Sequence, residues 1–69
     1  MIKYEEHLLT PKQILCCEFF PDEETAKRRQ KRLEKVIRRE VMIMPKKNLK
    51  TDEGTYKLCW MVSYICPKG

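Results

Sequence analysis

Sixty-nine residues leave room for one domain with a modest core, because a chain this short buries only about 60% of the surface its unfolded form exposes. That argues against a large enclosed active site. The 15 Lys and Arg against 10 Asp and Glu give a net charge of +5, which favours an anionic partner, nucleic acid or an acidic protein face.

Residues Met1 to Leu9 are weakly patterned and read as a short strand or an ordered arm, with Ile2, Tyr4, Leu8 and Leu9 as apolar contacts. Thr10-Pro11-Lys12-Gln13 then has the chemistry of a helix start, a hydroxyl acceptor followed by proline in the first turn, and predicts a helix from Pro11 to about Phe19. Its apolar residues make no clean stripe. Phe20-Pro21-Asp22 breaks this pattern and caps a second helix. Glu23 and Glu24 stand at the positive end of that helix's dipole, and Lys35, Arg38 and Arg39 at its negative end. Ala26, Leu33 and Ile37 share its apolar face, and cations occupy most of the rest.

From Val41 to Met44 the chain becomes β-compatible, Pro45 to Gly54 supplies turn chemistry, and Thr55 to Ile65 reads as a second strand, with a helix over Leu58 to Ile65 as the alternative that a short apolar run leaves open. Together they predict a hairpin with a basic loop. The expected core is Leu15, Phe19, Ala26, Leu33, Ile37, Ile43, Leu58, Trp60 and Val62. The tail from Cys66 to Gly69 is expected to be loose.

Cys16, Cys17, Cys59 and Cys66 fit neither the short spacings of zinc knuckles nor a bridge between neighbours. They are expected to be reduced, metal-free and packed as small apolar residues. No apolar run approaches the roughly 18 residues of a membrane span, and MIKYEEHLL lacks the order of a signal peptide. A cytoplasmic chain with no membrane partner is expected.

The succession Leu9-Thr10-Pro11-Lys12-Gln13-Ile14-Leu15, a break, Asp22 to Lys35 and then a hairpin resembles the winged helix-turn-helix superfamily. Its small excisionase-like members from phages and mobile elements are the most similar in length. The resemblance covers residues 9 to 65 and implies an α+β fold of two helices followed by a β-hairpin wing. The single domain would divide into an arm or strand (1–9), a helix-turn-helix (10–40), a hairpin (41–65) and a tail (66–69). Thr10 and Pro11 would open the positioning helix, and Asp22 would cap the recognition helix. Ala26 would be the small residue at the helix crossing and Leu33 the inward leucine. Phe20 and Gln30 depart from the family pattern, which commonly has glycine and an apolar residue at those places.

The resemblance implies a double-stranded DNA-binding protein, a transcriptional regulator or recombination directionality factor. Thr25, Lys27, Arg28, Lys31 and Arg32 would lie in the groove, and Lys46, Lys47 and Lys50 on flanking phosphates. The residue chemistry agrees, since guanidinium and ammonium groups neutralise phosphates and arginine can bond guanine bidentately. Arg28, one turn after the acidic cap, is the expected base contact. One such helix offers limited contact, so self-association on DNA is expected. The alternative is a small virus- or mobile-element-encoded adaptor or inhibitor that sets its basic helix on an acidic face of a host protein. With a lone His7, no glycine-rich phosphate loop and no nucleophile with a positioned base, the chain is not expected to be an enzyme or to need a cofactor. Tyr56, Trp60 and Tyr64 share one strand parity and are either core or a base-stacking platform.

Overall fold

The computed structural model describes residues 1–67. Its elements run β1 (Lys3–Thr10), β2 (Gln13–Phe20), α1 (Glu23–Ile37), β3 (Met42–Thr51) and β4 (Gly54–Pro67). The strands form one antiparallel sheet in the order β1-β2-β4-β3. This overturns the expected two helices followed by a hairpin wing: the stretch expected to form the first helix is strand β2, and the helix-turn-helix is replaced by a strand leading into a single helix.

Both hairpins turn on threonine. In the first, Pro11 and Lys12 form the turn, and the Lys12 amide donates to Thr10 Oγ1 at 3.2 Å. Proline pre-sets the backbone for this bend as readily as for a helix start, so the same tripeptide serves either structure. The register shifts between Leu8 and Thr10 as the strand enters the turn. In the second hairpin the Glu53 amide donates to Thr51 Oγ1 at 3.2 Å, the Thr51 hydroxyl donates to the Gly54 carbonyl at 2.9 Å, and Gly54 takes a φ of 131°. That backbone conformation favours glycine.

α1 begins as the cap chemistry demands. Asp22 is extended and accepts from the Thr25 amide at 2.9 Å, and Thr25 Oγ1 also donates to its carboxylate. The helix ends at Arg38, which adopts a left-handed conformation (φ 52°, ψ 36°) and donates its amide to the Glu34 carbonyl at 3.0 Å. Gln30, where an apolar residue was expected, is half-buried because its amide donates to the Val41 carbonyl at 2.8 Å and ties the helix to the start of β3.

Two clusters share the sheet between them. On the helix side, Phe20, Ala26, Leu33, Val41 and Val62 are buried, with Ile37, Ile43, Trp60 and Tyr64 packed against them. On the other side, Cys17, Phe19, Leu49 and Cys59 are buried with Ile2, Leu15, Tyr56 and Met61 around them. The β3–β4 hairpin extends past the Phe20↔Trp60 pair that ends β2. There it coils over this second face, so Leu49 reaches Phe19 and Lys3 Nζ donates to the Lys50 carbonyl at 3.2 Å. Of the expected core, Leu58 is exposed, and Cys59, fully buried, fills the interior instead. Cys66 and Pro67 belong to β4 rather than to a loose tail; Lys68 and Gly69 lie outside the described residues.

Among the described residues one charged side chain is buried at the helix-side interface. Glu18, on β2, is 4% exposed and accepts from Arg29 Nε at 2.8 Å and Nη2 at 3.2 Å, and from the Tyr64 hydroxyl. Burial opposes its ionisation, but the Arg29 and Tyr64 bonds and the Arg29 charge outweigh burial and hold the carboxyl below its ordinary range. Burial, together with the Glu18 carboxylate, pushes the Tyr64 phenol up.

Candidate nucleic-acid interface

α1 lies with Ala26, Leu33 and Ile37 toward the sheet. At roughly 100° per residue, Arg28, Lys31 and Lys35 therefore point away from it, with Lys27 and Arg32 on the flanks. All five side chains belong to exposed residues, as do Arg38 and Arg39 just beyond the helix end. A helix standing on one face of a sheet presents such a row to a partner without the rest of the fold intervening.

These cations are not equivalent. Lys27 Nζ pairs with Glu23 at 3.0 Å and Arg28 Nη2 with Glu24 at 2.9 Å, both at i,i+4. They are partly neutralised within the first two turns. Among the described residues Lys31, Arg32 and Lys35 make no ion pair within 4.0 Å. Arg29, inside the same basic run, is withdrawn from the surface chemistry by Glu18. Thr25 is a capping residue: its hydroxyl is committed to Asp22, which the Thr25 amide and hydroxyl hold below the ordinary carboxylate range.

The expected loop lysines are strand residues. Lys46, Lys47 and Lys50 lie within β3, and the turn itself is Asp52-Glu53. Lys46 pairs in register with Cys59, whose side chain is in the cluster away from the helix, whereas Lys47 pairs with Leu58 on the helix side. α1 starts beside the end of β2 and finishes near Val41. The hairpin extends from the level at which α1 starts, so its lysines and the unpaired cations of α1 lie toward opposite ends of the sheet. The structure brings Lys27, Arg28, Lys31 and Arg32 onto one surface and does not bring Lys46 to it.

Lys35, Arg38 and Arg39 extend that surface and were not among the expected contacts. Their signal in the sequence was their place at the helix's negative end, where they read as dipole partners alone. Tyr56, Trp60 and Tyr64 form no common platform, because Trp60 and Tyr64 pack under the helix and Tyr56 joins the opposite cluster. His7 is exposed, with Nε2 3.4 Å from Glu5 Oε1. Among the described residues no group of three or more His, Cys, Asp or Glu is placed to hold a metal ion, and no helix is long and apolar enough to cross a membrane. Comparison of the chain with known protein families, with curated proteins and with solved structures returns no match.

Proposed function

We propose that this chain binds duplex DNA through the outward face of α1, chiefly by contacts to phosphates. The observation that carries the reading is the row of Lys31, Arg32 and Lys35, exposed and without ion pairs, on a helix whose opposite face is buried in the sheet. An α-helix about 10 to 12 Å across fits a major groove about 12 Å wide. Lys27 and Arg28 can add to the contact by exchanging an exposed carboxylate for a phosphate, since a surface pair is worth only about 0 to 1 kcal/mol. Arg28 keeps the base-reading role within this proposal, with Glu24 orienting it in the free protein.

The test is fluorescence anisotropy of a labelled duplex across a salt series. Alanine at Lys31, Arg32 or Lys35 should each weaken binding and reduce the slope of log K against log salt by about 0.9. Lys50→Ala, in the hairpin toward the other end of the sheet, should change neither. Affinity that is insensitive to salt, or an equal loss at Lys50, would refute the helix-face reading.

A further inference from the structure

The sheet has two free edges that differ in chemistry. β1 presents Glu5 and Glu6 followed by Leu8 and Leu9, with Tyr4, Leu8 and Leu9 exposed. β3 presents exposed Met42, then Pro45, Lys46 and Lys47. Because the order is β1-β2-β4-β3 with every neighbour antiparallel, β1 and β3 run in opposite directions. A second copy laid beside the first in the same orientation therefore meets it antiparallel, with both helices on the same side.

We propose that copies of this chain assemble head to tail, the free edge of β1 in one copy pairing with the free edge of β3 in the next, over Tyr4 to Leu9 and Met42 to Lys47. The pairing must keep the two faces in phase. His7 and Glu5 stand opposite Leu15 and Cys17 and share the face away from the helix with Met44 and Lys46; Glu6 and Leu8 share the helix side with Ile43 and Lys47. Among the in-phase registers, the one that spans these residues sets Glu5 opposite Lys46, Leu8 opposite Ile43 and Leu9 opposite Met42, with Lys47 diagonal to Glu6. Cross-strand pairs of opposite charge and of apolar residues are the stabilising units of a sheet. The alternative of β1 against β1 about a two-fold, paired in phase over Tyr4 to Leu8, centres Glu6 on its own copy, a like-charge pair.

The ends of the segment agree. Lys3 Nζ is bonded to the Lys50 carbonyl of the other hairpin and pairs with Glu5 at 2.9 Å, and β3 takes a left-handed backbone at Asn48 (φ 55°). The Lys3 pair is a weak surface contact, so Glu5 can share its carboxylate with Lys46 of the next copy. Pro45, opposite Glu6, offers no amide, so the ladder lacks one bond. Four strands at roughly 4.8 Å set successive helices about 19 Å apart on one side of the sheet. This inference does not depend on DNA binding.

Sedimentation of the full chain without nucleic acid tests it. Weight-average mass should climb with concentration past that of a dimer, because the contact does not close. Glu5→Lys and Lys46→Glu should each sediment as monomers with unchanged circular dichroism. An equimolar mixture of the two should assemble, since each copy then meets an opposite charge at both edges, and the double variant should assemble alone. Recovery in the mixture separates edge pairing from a folding defect. A wild-type chain that stays monomeric at millimolar concentration, or variants that assemble as the wild type does, would overturn the proposal.

Discussion

Arg29→Ala should destabilise the fold more than any other loss of a cation from α1. The change removes two bonds to a carboxylate that is 4% exposed, at 2.8 and 3.2 Å. Breaking a buried pair by deleting one partner costs about 3 to 5 kcal/mol. Here the Arg29 side chain is 38% exposed and Tyr64 still donates to the orphaned carboxylate, so water and the phenol recover part of that. The expected loss is about 2 kcal/mol, read from urea unfolding followed by the fluorescence of Trp60, the single tryptophan. The pH dependence carries a sign. Glu18 titrates below its ordinary 4.5 when folded, so its contribution is full above that value and is lost as pH falls through the folded value. Without Arg29, burial acts with less opposition, the folded carboxyl titrates higher, and acid unfolding moves to higher pH. Glu18→Leu combined with Arg29→Met should be far milder than Arg29→Ala alone, because no buried charge is left behind. A loss below about 0.5 kcal/mol with an unmoved acid transition would show that the Glu18 charge does not need Arg29.

Leu33→Ala opens the centre of the helix-side cluster and should cost about 2 to 5 kcal/mol; a change under about 0.5 kcal/mol in urea unfolding would mean that the helix is not seated on this face. Thiol labelling with an aromatic disulfide should reach half-buried Cys66 first. Burial pushes the thiols of Cys17, Cys59 and Cys66 all up, so access sets the order: Cys17 and Cys59, buried, should react only at the rate of larger openings, and equal rates at these cysteines would contradict the packing.

α1 was legible because its signals are local: the Asp22 cap, the acidic first turn and the Ala26–Leu33–Ile37 spacing all lie within the element. The later hairpin was legible for the same reason, although β3 runs further than expected and takes the three lysines into the strand. β2 was not. Cys16 to Phe20 are buried in succession because one face meets α1 and the other meets the coiled hairpin, so the alternation that marks a strand is absent. A continuous apolar run preceded by Thr-Pro is equally good helix grammar, and only the presence of β1 and β4 on either side decides between them. The site suffered from the same distance problem. That Arg29 is spent on Glu18 follows only once the preceding segment is a strand with Glu18 on its helix side, and that Lys46 faces away from α1 depends on its register with Cys59.

The helix-side polar bridge also has a kinetic meaning. Each hairpin closes on itself through a tight turn, whereas β2 and β4 meet only across long stretches of chain; Glu18 and Tyr64, bonded at that seam, are 46 positions apart. Local hairpins form in microseconds, while joining remote strands carries the loop-closure cost first. The seam is then the slow step, and before it closes each hairpin exposes an edge that belongs in the middle of the sheet. The β2 edge carries Cys16 to Phe20, five residues that are all buried once the sheet is complete. The interval between hairpin formation and seam closure is therefore when this chain is most open to mispairing, and a buried charge bridge that requires Glu18, Arg29 and Tyr64 together favours the native register over a strand slipped by one residue, which would turn Glu18 to the other face.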